Sequence, residues 1–294
     1  MPPAFLALEL KDSMKVSVLG FNRRDPRARI AQDSDHLTTL LTSRETKELR
    51  SLDTRKGRET TGRFVAEGVR VVEDLLASPL AVRWVVCTSS LEDNERGRAL
   101  VRKIDERRIL RRVLRDRDFE RVAKTESPQG VMAVADTPVR ELSAIDVTST
   151  RAVVLAVDGV QDPGNFGALV RSAEALGAVG VVALPGTVDP WNPKSVRAAA
   201  GSAFRLSMVS AAWEEAVEVF KRSGMPVYGA AVGGRPVSEV RGGRGVVVVG
   251  NEGAGLSEAV RKGVDGLIGV PLPGRGESLN VTAASAILLY ELTR

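Results

Sequence analysis

The segment Val246-Val247-Val248-Val249-Gly250-Asn251-Glu252-Gly253-Ala254-Gly255-Leu256-Ser257-Glu258 reads as a buried strand running into a glycine-rich turn and then a helix. Four consecutive valines without polar alternation suit a strand covered on both faces, as in a parallel sheet under helices. The bare backbone of such a turn lets N–H groups approach a ligand closely. Gly250, Gly253 and Gly255 do not have the G-x-G-x-x-G spacing of a dinucleotide site, and no Gly-Lys-Ser/Thr follows to make a phosphate loop.

The same alternation of apolar runs and helical periods extends to both sides. Strands are expected over 152–157, 179–184, 206–209, 227–231, 246–249 and 267–270. Helices are expected from 166, near 193–200, over 213–221, after 255 and over 278–291. Two further loops carry polar residues. Asp158-Gly159-Val160-Gln161-Asp162-Pro163-Gly164-Asn165 ends a strand, and Asn165 is expected to cap a helix. That helix presents Phe166, Leu169, Val170, Ala173 and Leu176 on one face and Arg171 on the other; taken alone, a capped helix with a solvated arginine is the stronger reading. Val270-Pro271-Leu272-Pro273-Gly274-Arg275-Gly276-Glu277-Ser278-Leu279-Asn280-Val281 enters a helix apolar nearly all round. Asn280 is therefore expected to be buried and hydrogen-bonded, with Ser278 as the cap.

Upstream lies a smaller α/β layer. A helix after Thr42 or Ser43, a strand over 64–67, a helix over 69–76, a strand over 82–87, a helix over 95–104, a short helix over 119–123 and a strand over 130–134 are expected. Residues 137–150 have linker composition, and residues 1–37 read as a flexible extension in which Met14 is an alternative start.

Composition narrows the chemistry. At 294 residues and 43% hydrophobic, the chain can build two ordinary domains. The longest apolar runs fall far short of the ~18 residues of a membrane span, and the N-terminus has no apolar stretch of signal-peptide type. One cysteine, Cys87, and one histidine, His36, leave no disulfide, no Cys-rich metal site and almost no material for a Ser-His-Asp mechanism. A reducing cytoplasm is the expected setting. Residues 1–150 hold 28 Lys+Arg against 24 Asp+Glu, and residues 151–294 hold 14 against 13. Ten basic and five acidic side chains fall within 102–124, either a phosphate-contacting surface or a salt-bridged helix face.

Together, in this order, the three loops resemble the SpoU/TrmH family of RNA ribose 2′-O-methyltransferases, within the SPOUT superfamily. The first motif is matched by Asn165, Gly167 and Arg171, the second by Gly250, Glu252, Gly253 and Gly255, and the third by Val270, Pro271, Ser278, Leu279, Asn280 and Val281. The stretch from Asn192 to Ala203 is similar to the family's intermediate segment. Arg55-Lys56-Gly57-Arg58, Phe64-Val65-Ala66-Glu67-Gly68 and Ser127-Pro128-Gln129-Gly130 resemble its N-terminal substrate-binding domain.

The resemblance implies an α/β chain with an L30e-like RNA-binding domain at 38–137, a linker at 138–150 and a trefoil-knotted, parallel-sheet SPOUT methyltransferase domain at 151–294. It implies S-adenosylmethionine as cofactor, held around Gly250, Gly255, Val270, Leu272 and Leu279, no metal, no membrane, and a homodimer with the site at its interface. Ribosomal RNA is favoured over tRNA, and base-nitrogen methylation is the alternative within the superfamily. Asn165, Arg171, Glu252, Ser278 and Asn280 are the implied catalytic residues. The family's usual proposal makes the arginine the general base. A guanidinium holds its proton to about pH 12, so Arg171 suits clamping a phosphate and offsetting a developing alkoxide better.

Overall fold

A computed structural model of the chain describes residues 37–38, 41–240 and 242–294, all within one contact unit spanning 36–294. The extension expected over 1–37, His36 included, lies outside the described residues except for Leu37.

The first half contains β1 (Leu37–Thr38), α1 (Ser43–Ser51), α2 (Arg55–Thr61), β2 (Arg63–Glu67), α3 (Val69–Ala77), β3 (Val82–Thr88), α4 (Glu95–Glu106), β4 (Leu110–Leu114), α5 (Asp116–Glu120) and β5 (Val131–Asp136). Its sheet runs β1-β4-β3-β5-β2, with β5 antiparallel to both neighbours and the other pairs parallel. Thr42 starts α1 with a reciprocal capping box to Glu45.

β4 corrects the reading of the basic stretch as one helix face. Arg108, at φ 54°, lies between α4 and β4, and the strand occupies the middle of the run. Arg111 is buried on β4 and paired with Asp105, while Arg112 pairs with Glu45, Arg115 and Arg121 with Asp118, and Lys124 with Asp53. Half of the expected cationic surface is therefore engaged internally. The helix expected over 119–123 is α5, which begins earlier because Asp116 and Asp118 suit a helix's positive first turn.

The second half contains β6 (Val153–Asp158), α6 (Pro163–Ala175), β7 (Gly180–Ala183), α7 (Pro193–Ala198), α8 (Ser202–Arg205), β8 (Ser207–Ser210), α9 (Trp213–Arg222), β9 (Val227–Pro236), β10 (Gly245–Gly250), α10 (Glu258–Gly263), β11 (Gly266–Gly269) and α11 (Val281–Thr293). Its sheet, β11-β9-β10-β6-β7-β8, is parallel throughout. Every residue of β6 is buried, as the unalternated valines required.

The halves are not merely tethered. Phe64 of β2 packs on Trp191 and Phe204, with ring centroids 4.5 and 5.9 Å apart. Beside them the buried Arg58 guanidinium donates to Asp189 Oδ2 at 2.5 Å. Within 138–150, Leu142 and Ile145 are buried against the second sheet's core, and Arg140 donates to the Leu206 carbonyl at 2.8 Å.

Candidate active site

Because β6, β9, β10 and β11 are parallel, the turns after them emerge at one sheet edge, where open α/β sheets bind ligands. The turn after β10 is tightly knit. Asn251 exchanges backbone hydrogen bonds with Gly255, both 2.9 Å, and its Oδ1 accepts from the N–H groups of Gly253 and Ala254, also at 2.9 Å. Its Nδ2 donates to the Gly159 carbonyl at 2.9 Å, joining this turn to the one after β6. Asp158, buried at the end of β6, accepts from Ser257 N at 2.6 Å and fixes the far end. Gly250 must be glycine, since a Cβ there would lie 2.3 Å from the Gly255 carbonyl carbon. The sequence reading missed Asn251 and Asp158; an asparagine followed by glycine in a turn, able to bond its own backbone two residues on, was the available signal.

α6 starts one turn earlier than expected. Asp162, not Asn165, is the cap, accepting from Asn165 N at 2.8 Å with Pro163 in the first turn, where a missing N–H costs nothing. That backbone bond holds the Asp162 carboxyl below its ordinary value against the opposing effect of burial, and Lys194 at 3.2 Å adds a lesser lowering. Asn165 is thereby freed, and its Nδ2 donates to Glu252 Oε1 at 2.9 Å, linking the first loop to the second. Gly167 lies where α6 crosses α7, since a Cβ would meet Ala198 Cβ and the Ser195 carbonyl at 2.5 Å. Arg171 is exposed further along α6.

The third loop departs most from expectation. Asn280 is exposed rather than buried, and it, not Ser278, caps α11 by accepting from Thr282 N at 2.8 Å. The helix starts at Val281 because this Asx cap satisfies its first turn; only Ser285, Leu288, Leu289 and Leu292 are buried, leaving Ile287 and Tyr290 exposed.

Between the second and third loops lies a cleft of about 620 Å³, within the ~300–1,000 Å³ of small-molecule sites. Gly250, Glu252, Gly255, Val270, Leu272, Ser278, Leu279 and Asn280 all line it, as do Ala230, Ile268 and Arg261, which the sequence reading did not single out. Asn165 joins through Glu252, whereas Arg171 is not part of the lining. The walls are mainly aliphatic or bare backbone, and Glu252 and Arg261 are the charged side chains upon them. Such a lining fits a ligand combining a flat apolar ring with a small charged tail. Among the described residues no group of three or more His, Cys, Asp or Glu could hold a metal, and no helix is long and apolar enough to cross a membrane.

The profile of the SpoU rRNA Methylase family matches residues 152–290, and that of the MRM3-like substrate binding domain matches residues 44–133. The 23S rRNA (guanosine(2553)-2'-O)-methyltransferase RlmP of Bacillus subtilis is 36% identical over 255 residues, covering 85% of this chain and 96% of that protein. The 23S rRNA (uridine(2479)-2'-O)-methyltransferase of Streptomyces viridochromogenes is 32% identical, covering 83% and 86%. The AdoMet-bound rRNA methyltransferase from Sinorhizobium meliloti superposes with a TM-score of 0.75 at 28% identity, over 87% of this chain and 96% of that one. A parallel sheet with three loops at one edge, and relatives matching nearly from end to end, place the chain in the SpoU rRNA methylase family.

Proposed function

We propose that this chain transfers a methyl group from S-adenosylmethionine to a ribose 2′-hydroxyl of ribosomal RNA. The observation that carries the reading is the Asn165–Glu252 hydrogen bond, which brings the first motif to the wall of a cleft built by the other two. Gly250, Gly255, Val270, Leu272 and Leu279 would hold the cofactor, their bare backbone and aliphatic side chains accommodating its nucleoside. When bound, S-adenosylmethionine supplies an electrophilic sulfonium methyl.

The chain's own residues do the rest. A ribose hydroxyl is a poor nucleophile, so it must be held in line and helped to lose its proton. Asn165 uses its amide N–H on Glu252, which leaves its Oδ1 free to accept from the incoming hydroxyl. Glu252, Ser278 and Asn280 shape the pocket around that hydroxyl. Arg171, exposed and without a carboxylate partner among the described residues, clamps a phosphate and offsets the developing alkoxide.

In this reading residues 38–137 form the L30e-like unit that captures RNA, 138–150 connect, and 151–294 form the methyltransferase domain, knotted as a trefoil. Support for the knot is the place of β10 between β6 and β9, with α11 packed back onto α6. A second copy covers the exposed Ile287 and Tyr290 of α11 and completes the site. The setting is cytoplasmic, where ribosomal RNA is found and a lone buried thiol stays reduced.

Methyl-labelled S-adenosylmethionine, incubated with unmodified rRNA and tRNA and followed by nucleoside analysis, tests the reaction. Label is expected in a 2′-O-methylnucleoside of rRNA. Asn165→Ala and Arg171→Ala should each lower kcat by about 10²–10³-fold, the loss typical of one electrostatic contact to a transition state, and leave cofactor affinity within about twofold. Label on a base, or full turnover in both variants, would sink the reading.

A further inference from the structure

Arg58 belongs to α2 of the first half, but its charge is spent in the second. The guanidinium is buried: Nη1 donates to the Leu52 carbonyl at 2.7 Å, and Nε and Nη2 both approach Asp189 Oδ2 at 2.5 Å. Asp189 turns its other oxygen on its own turn, accepting from Trp191 N at 2.9 Å, while its carbonyl accepts from Asn192 N at 3.0 Å. Trp191 is the ring packed on Phe64. A planar guanidinium held at both ends is directional, so the pair fixes the angle of this turn as well as its distance from the first half.

The same turn is fastened to the loop that presents Asn165. The buried Thr187 hydroxyl donates to the Val157 carbonyl at 2.8 Å and accepts from Gly159 N at 3.0 Å, and Val188 N donates to the Val160 carbonyl at 2.9 Å. Beyond Asp189, Asn192 caps α7, and Lys194 reaches Asp162, the cap of α6, at 3.2 Å. α7 lies against β2 on one side and crosses α6 at Gly167 on the other. Residues 187–194 therefore meet the first half at Arg58 and Phe64, and hold the Asn165 loop at both of its ends. Arg205 makes a second bridge, to Glu174 of α6 at 2.9 Å and Asp74 of α3 at 3.8 Å, but it is half exposed and screened, so it counts for less.

We propose that Arg58 and Asp189 are positioning residues for methyl transfer: through the turn at 187–194, the first half sets the place of Asn165. The proposal rests on the reading of the chain as an RNA methyltransferase. Neither residue lines the cofactor cleft, so both act through the loop rather than on a ligand. In-line attack is sensitive to such a device, since a misplacement of about 1 Å, even when caused far from the chemistry, can cost about 10²-fold in rate.

Two variants separate positioning from stability. Asp189→Asn keeps an acceptor for Trp191 N but turns an NH₂ toward Arg58, leaving a buried guanidinium unpaired. The double variant Arg58→Met with Asp189→Leu replaces the pair by apolar side chains of similar size, an exchange that is often neutral for stability. Turnover of an unmodified 23S rRNA transcript, S-adenosylmethionine affinity, urea midpoints and amide hydrogen exchange over 158–166 are measured for wild type and both variants. In both variants kcat is expected to fall about tenfold, with KM for RNA and cofactor affinity within about twofold of wild type. Exchange over 158–166 should be at least about threefold faster in both. Wild-type kcat and exchange in the double variant would reduce the pair to a matter of stability and overturn the proposal. A raised KM for RNA at unchanged kcat overturns it too, because the pair would then serve RNA capture, as does a lower kcat with unchanged exchange, which breaks the route through the loop. If the wild type labels no RNA, the proposed reaction fails, and exchange still decides the coupling: faster in both variants upholds it, unchanged in both overturns it.

Discussion

The two loops that wall the proposed cofactor cleft leave strands of the same sheet edge, yet they are built in opposite ways. The turn after β10 is closed on itself: Asn251 alone ties it to Gly253, Ala254, Gly255 and the carbonyl of Gly159. The loop after β11 is open. Among the described residues no hydrogen bond involves residues 271–279, and all but Leu272 are exposed, until Asn280 caps α11. One wall is thus held by hydrogen bonds of its own backbone, and the other, among the described residues, by none. A binding site with one rigid and one adaptable wall fixes the ligand's place with the first and encloses it with the second.

The largest effect expected from this contrast falls on the closed turn. Asn251→Ala removes four side-chain hydrogen bonds, three at 2.9 Å worth about 1 kcal/mol each and a longer one of 3.4 Å to the exposed Glu252 that adds little, so unfolding free energy should drop by about 2–3 kcal/mol. Cofactor affinity should fall at least 30-fold at the same time. Ser278→Ala, on the open side, should change stability by less than about 0.5 kcal/mol. Urea titrations and calorimetric binding of S-adenosylmethionine decide the matter. Equal destabilisation by both variants would erase the distinction.

The same contrast marks what the sequence made legible. Parallel strands announced themselves through unalternated runs such as 153–157 and 246–249, because burial on both faces leaves no room for polar residues. The ligand loops were legible through glycine spacing, since Gly250 and Gly167 stand where backbone or a helix approaches too closely for a Cβ. Long-range partners were not legible. Arg58 sits in a basic cluster that suggests RNA contact, but it is buried against Asp189, 131 residues away. β4 was hidden because its Arg111 and Arg112 find carboxylates on α4's last turn and on α1, which no local period reveals. Asn280 misled for a related reason. An apolar helix implies a buried start only if every face is covered within the chain, and α11 is covered on one face.

A smaller effect should sharpen the comparison from the open side. Leu279 is 38% exposed and has little to lose in stability on truncation. If it closes over the cofactor, Leu279→Ala should weaken S-adenosylmethionine binding about tenfold, or 1.4 kcal/mol, while unfolding free energy changes by less than about 1 kcal/mol. The loop's exposed Arg275 gives an independent readout, because trypsin cleavage there should slow when the cofactor saturates the site. Cleavage that ignores the cofactor would mean that the open loop does not enclose it.

The smallest expected effect concerns the turn that presents Asn165. Asp162 caps α6, and its carboxyl is held below the ordinary value first by the Asn165 N–H and then by Lys194. A carboxyl whose folded value is depressed contributes stability that is complete above the unfolded value of about 3.9 and is lost as pH falls through the folded one. Asp162→Ala should therefore cost about 1 kcal/mol at pH 7, as the loss of a helix cap usually does. The gap between variant and wild type should close below pH 4. Asp162→Asn, which can still accept from Asn165 N, should recover most of the loss at pH 7 and show no such closing. The side chain is about half exposed and its ion pair with Lys194 is screened, so the cap hydrogen bond, rather than the charge pair, carries the effect. Urea titrations of the three proteins at pH 7 and at pH 3.5 separate the two. If asparagine proved no better than alanine at pH 7, charge would outweigh the cap hydrogen bond, and Asn165 would be aimed at Glu252 by electrostatics instead of by a backbone cap.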